Sequence, residues 1–165
     1  MVKKGRREKM NLSYRNAKKE DADTLVRIYN DAFYADYVRF GECPGYGKTK
    51  GEMEASIEKS LKQIIFYEDE PIGSLSYKEM SENVYYIGCL CIVPKFQGKG
   101  IGTLAFQHIL EECKNWEKII LKTPLEKEEN IRFYTERCGM QPGKVQRDGN
   151  VDVVELVLES DITVR

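Results

Sequence analysis

Apolar residues recur at helical spacing in about four stretches of the chain and alternate or cluster in about seven others. Residues 11–17 read as a short strand. Asp21, Ala22, Leu25, Val26, Tyr29 and Phe33 then form the i, i+3, i+4, i+7 stripe of an amphipathic helix, which the pattern ends near Tyr34. A Gly- and Tyr-rich loop over 40–50 leads into a second helix over 52–61. Three strands follow at 63–68, 71–78 and 84–93, with turn residues at Asp69-Glu70 and Ser81-Glu82-Asn83, the signature of an antiparallel meander. Pro94 stops the last of these. Ile101, Leu104, Ala105, Ile109 and Cys113 give a helix over 100–114 its apolar face, and a strand over 118–122 and a helix over 128–137 come next. Two strands over 141–147 and 151–159, joined by the hairpin signal Asp148-Gly149-Asn150, complete the order β α α β β β α β α β β. Such an order predicts an α/β (α+β) fold, a mixed and mostly antiparallel sheet flanked by helices.

At 165 residues the chain suits one domain, expected over 11–165. With 41 % hydrophobic and 32 % charged residues it is neither disordered nor membranous, and no apolar run reaches bilayer length. The first ten residues show no signal-peptide pattern, so a cytoplasmic location is expected. Residues 1–10 carry +4 on a chain of net charge −1, which leaves −5 for the remainder. A basic, frayed tail on an acidic body argues against a nucleic-acid-binding surface. The five cysteines, Cys43, Cys89, Cys91, Cys113 and Cys138, have no metal-ligand spacing, and the single His108 completes no metal site. His108 itself reads as a structural residue of its helix.

The most specific motif runs from Val93 to Thr103, VPKFQGKGIGT, between a strand and an amphipathic helix. Three glycines in five residues disfavour a helix start by up to ~1 kcal/mol each, which calls for a reason such as close approach of the backbone to a ligand. N–H groups at a helix N-terminus suit a pyrophosphate, with Gln97 and Lys99 as further donors. Gly100-Ile101-Gly102-Thr103-Leu104-Ala105 also satisfies a dinucleotide pattern, but Pro94 to Lys99 separate it from the strand. The segment from Gly41 to Thr49 misses the P-loop by one residue and follows a helix.

Together with Leu90-Cys91-Ile92-Val93-Pro94, the run Gln97-Gly98-Lys99-Gly100-Ile101-Gly102 resembles the acetyl-CoA signature of the GNAT superfamily of N-acetyltransferases, Q/R-x-x-G-x-G/A after L-x-V-x-P. Asn130, Phe133, Tyr134 and Gly139 match a second family block. The resemblance implies about seven strands and about four helices, with acetyl-CoA as cosubstrate and no metal. It also implies that Gln97, Gly98, Lys99, Gly100, Ile101, Gly102 and Thr103 cradle the pyrophosphate. Leu90, Ile92 and Val93 would flank the pantetheine arm in a notch between two parallel strands, with the Ile92 N–H as oxyanion donor. Asn130 and Phe133 would hold the cofactor arm, and Tyr134 would be the general acid. Relatives often carry a carboxylate where this chain has Gly88-Cys89. The general base is thus open, with Glu79, Tyr85 and Glu42 as candidates. The expected acceptor is a small-molecule primary amine rather than a protein lysine or N-terminus. Phe33, Tyr34, Tyr37, Phe40, Tyr46, Tyr77, Tyr85 and Tyr86, with Asp31, Asp36 and Glu42, are candidates to surround it. No nucleic-acid or membrane partner is expected, and a homodimer through the last strands would be in keeping with the family. A non-catalytic acyl-CoA sensor or interaction module is the alternative.

Overall fold

A computed structural model describes residues 11–161, so the basic tail expected at 1–10 lies outside the described residues. One seven-stranded sheet has the order β1-β2-β3-β4-β5-β7-β6. Its strands are β1 (Leu12–Asn16), β2 (Lys62–Tyr67), β3 (Glu70–Ser81), β4 (Val84–Ile92), β5 (Lys118–Pro124), β6 (Gln141–Asp148) and β7 (Val151–Glu159). All neighbours are antiparallel except β4 and β5. The meander and the terminal hairpin therefore form as the alternation predicts, but the first turn is Glu68-Asp69 rather than Asp69-Glu70: Glu68 takes the left-handed φ of +53° and Glu70 already pairs with Tyr67 as the first residue of β3. Among the described residues no helix is long and apolar enough to cross a membrane.

Helices α1 (Ala22–Phe40) and α2 (Lys50–Lys59) cover one face of the sheet, while α3 (Ile101–Glu112) and α4 (Glu128–Arg132) cover the other. Ile64 and Ile65 are consecutive in β2 and both fully buried, one under each layer, because alternate side chains leave a strand on opposite faces. Leu25, Ile28 and Met53 close over Ile64 and Cys91; Ile101, Ala105 and Ile109 close over Ile65, Ile72 and Leu75. His108 is a structural residue, stacked on Tyr14 with ring centroids 3.6 Å apart and within hydrogen-bonding distance of Gln63 and Glu112.

Two helices depart from the sequence expectation. Helix α1 continues past Tyr34 to Phe40, where Gly41 at φ +75° ends it. The added turns are anchored by remote partners: Asp36 meets Lys127 at 2.8 Å, and Arg39 binds Glu129 at 2.9 Å and the Glu126 carbonyl. The helix expected over 128–137 is α-helical only to Arg132 and widens into a π turn over Phe133–Arg137. Thr135 Oγ1 donates to the Ile131 carbonyl at 2.8 Å and competes with the regular backbone bond there.

Candidate active site

Strands β4 and β5 are in register only over Val84–Tyr86 and Lys118–Ile120, and beyond Tyr86 they part. The Val93 N–H bonds the Ile72 carbonyl on the β3 side. Strand alternation therefore turns the N–H and C=O groups of Ile92 and Leu90 toward the opening. At its far end the Gln97 side chain donates to the Ile92 carbonyl at 2.8 Å, so this amide ties the loop to the strand. Val93 is turned away from the notch: its N–H and carbonyl are both hydrogen-bonded, and its side chain lines a separate cavity of about 820 Å³.

The loop between β4 and α3 makes one turn of 3-10 helix over Pro94–Phe96 and then passes through Gly98 at φ +75° and Gly100 at φ +82°. Both glycines are in the left-handed region that other residues enter at a cost. Gly100 is the N-cap of α3 and no side chain caps the helix; its first regular bond is Leu104 N–H to the Gly100 carbonyl at 3.3 Å. The N–H groups of Ile101, Gly102 and Thr103 are thus without intrahelical partners at the positive end of the helix dipole. No acidic residue stands in that first turn. Lys99 adds a cation, with its Nζ 5.7 Å from the Phe96 ring centre.

Gly102 packs closely against a ring from α4's continuation. A Cβ there would come within 3.1 Å of the Phe133 ring. Phe133 meets Tyr134 edge to face, with ring centroids 4.9 Å apart. Tyr134 is 7 % exposed, and burial pushes its hydroxyl above the ordinary tyrosine value. Among the described residues that hydroxyl has no hydrogen-bond partner, and Tyr134 lines a cavity of about 900 Å³ that spans the notch. Leu90 and Cys89 of β4 line it as well, opposite Leu121 and Thr123 of β5. Asn130 is on the same wall and donates to Thr123 Oγ1 at 3.2 Å.

The cavity continues beneath α1 and the α1–α2 loop. Of the expected acceptor residues, Phe33, Phe40, Tyr77, Tyr86, Asp36 and Glu42 line it. Tyr34, Tyr46 and Asp31 line the separate cavity instead, and Tyr37 stacks on Tyr46. Among the base candidates only Glu42 lines the main cavity, and its Oε1 accepts from the Asn150 N–H at 2.9 Å, which ties the α1–α2 loop to the β6–β7 turn. Sequence reasoning missed Lys127, Asp36's partner here, and the buried Lys62, because each is defined by contacts remote in the chain. Periodicity carries no signal for either.

Comparison with known proteins bears on the family and the fold. The model of the acetyltransferase (GNAT) family matches residues 22–140. A probable N-acetyltransferase of Drosophila melanogaster is 26 % identical over 113 residues, which are 64 % of this chain and 51 % of that protein. The chain thus spans about half the length of this relative. An acetyltransferase of Thermus thermophilus superposes with a TM-score of 0.76 at 16 % identity, covering 90 % of this chain and 97 % of that one. A protein from Salmonella typhimurium, solved with its cofactor acetyl-CoA, superposes with a TM-score of 0.69 at 15 % identity, covering 92 % of this chain and 95 % of that one.

Proposed function

Because the chain belongs to the GNAT acetyltransferase family, we propose that it transfers the acetyl group of acetyl-CoA to a primary amine of a small molecule by direct attack. The observation that carries this reading is the parting of β4 and β5 between an uncapped helix N-terminus and the Tyr134 hydroxyl. In it, the N–H groups around Gly98 to Thr103 and the Lys99 ammonium hold the pyrophosphate, and the pantetheine arm lies along the free edge of Leu90 and Ile92. Asn130 and Phe133 form the opposite wall. Gln97 serves by fixing the loop.

The attacking nitrogen forms the new bond to the thioester carbonyl carbon while the carbonyl oxygen gathers charge, for which the Ile92 N–H is the donor. The C–S bond then breaks. Tyr134 acts as the general acid, passing its proton to the departing sulfur while the proton lost by the nitrogen restores the phenol. With its hydroxyl raised by burial, it remains a donor throughout the neutral range. Pairing of two copies along β6, an edge strand exposed along its whole length, belongs to the same reading and is checked by light scattering.

Thermal unfolding with acetyl-CoA, CoA, NAD and ATP in parallel tests the cofactor. A ligand at about 100 times its Kd stabilises by about 2.7 kcal/mol, a rise of several degrees at this size. A shift with both CoA forms only, followed by thiol release with an amine panel, supports the transferase. A shift without turnover of any amine points to the acyl-CoA-binding module, and a shift with NAD or ATP alone overturns both.

A further inference from the structure

The cavity contains a buried charge that acetyl transfer as proposed does not use. Lys62, the first residue of β2, is 8 % exposed, yet among the described residues no carboxylate pairs with it. Its Nζ donates to Tyr29 Oη at 3.3 Å and lies 5.5 Å from the centre of the Tyr29 ring. A buried ammonium beside a phenol and the Cys89 and Cys91 thiols, with no carboxylate, is poorly compensated, and burial holds it below the ordinary lysine value.

Its position is set by the sheet. Lys62 is opposite Ser76 on β3, and Ser76 is opposite Cys89 on β4, so the three side chains form a row on one face that ends at the notch. All three line the cavity. Lys48, from the α1–α2 loop, lines it too, makes no ion pair among the described residues, and is near enough to repel the Lys62 charge. Two acids of the cavity are engaged elsewhere, Asp36 by Lys127 and Glu42 by the Asn150 N–H; the third, Asp148, is beside Tyr86 on the β6–β7 side of the cavity.

We propose that Lys62, with Lys48 on the same cavity wall, binds a carboxylate carried by the acceptor, so that the acceptor is an amino acid or a similar amino-carboxylate rather than a polyamine. This rests on the acetyl-transfer reading above and narrows it. At roughly 4.8 Å per strand, Lys62 starts about 10 Å from β4. The acceptor then lies across β3 and β4 with its nitrogen toward Leu90 and its carboxylate toward β2. A polyamine would bring its second ammonium against two like charges.

The experiment uses matched pairs with and without the charge: L-alanine, L-lysine and 4-aminobutyrate beside their carboxamides, with spermidine as the polycation. Thiol release gives kcat/KM for each, and thermal unfolding of the CoA-bound protein reads binding of the same acids without catalysis. The expected result is an acid favoured over its amide by about tenfold or more for at least one pair, mainly through KM. Lys62→Met should bring that ratio near one and abolish the acid-induced shift, with the acetyl-CoA shift unchanged, and Lys62→Arg should retain much of the preference. Equal use of amides or spermidine by the unaltered protein overturns the inference and leaves the transferase intact. Equal slowing of both members of a pair by Lys62→Met also overturns it, since it marks a role in folding or proton transfer. If no amine is turned over, acetyl transfer itself fails; the carboxylate site then stands or falls on the acid-induced shift.

Discussion

Tyr134→Phe separates the chemical role of one hydroxyl from its structural role. The ring remains, so the contacts with Phe133 and Phe106 are kept. The hydroxyl has no protein partner among the described residues, and removing it orphans no second polar group. Stability should therefore stay within about 1 kcal/mol of the unaltered protein, which is about 2–4 °C at this length. Proton transfer to the departing sulfur takes place only as the C–S bond breaks, and losing such a proton donor slows turnover by about 10²- to 10⁴-fold, or about 2.7–5.4 kcal/mol. The assay is thiol release at saturating acetyl-CoA, beside calorimetric CoA binding and a melting curve for each protein. The expected set is a melting midpoint within about 4 °C, a CoA Kd within a few-fold, and a collapse of kcat. Turnover within about threefold of the unaltered enzyme would refute the role assigned to Tyr134, whatever happened to KM.

Gly100→Ala meets no atom within 4 Å, so its penalty is the left-handed backbone alone, about 1–2 kcal/mol, and acetyl-CoA binding measured by calorimetry should weaken as the loop relaxes. Asp36→Asn leaves Lys127 without its partner in a pair whose side chains are 15–16 % exposed; a loss of about 1–3 kcal/mol in denaturant unfolding and a raised acceptor KM are expected. Burial pushes the Cys113 and Cys138 thiols up to about 12, from an ordinary value of 9.0. Because the folded values are raised, the protonated thiols stabilise the fold fully below about pH 9, and that contribution is lost as pH rises toward 12. Melting midpoints should therefore fall steadily above pH 9, and less steeply in Cys113→Ala.

The order of elements and the glycine loop were legible because each rests on neighbours in sequence: alternation for the strands, Pro94 as a stop, and glycines where φ is positive. Thr49 and Glu52 form a local capping pair that also could have been read, and they start α2 at Lys50, earlier than the apolar pattern does. The second half of α1 could not be read this way. Its stripe fades after Tyr34, and Asp36 finds Lys127 only 91 residues later. The π turn at Phe133 depends on the Thr135 hydroxyl choosing the Ile131 carbonyl, a choice that helix propensity does not encode. Lys62 was unreadable for a third reason. A lysine at the start of a strand usually marks a solvated edge, and only the Lys62–Ser76–Cys89 register brings this one under α1.

Only three residue pairs join β4 to β5, so the sheet is mechanically two half-sheets, β1–β4 and β5–β7, coupled by a short seam at one end. An extended ligand arm laid in the gap would act as a staple, adding hydrogen bonds where the seam has none. Stiffness of the whole domain then becomes a reporter of occupancy: amides at Leu90 and Ile92 should exchange with solvent quickly in the free protein and slow together when the gap is filled, while those deep in the β2–β3 ladder hardly change.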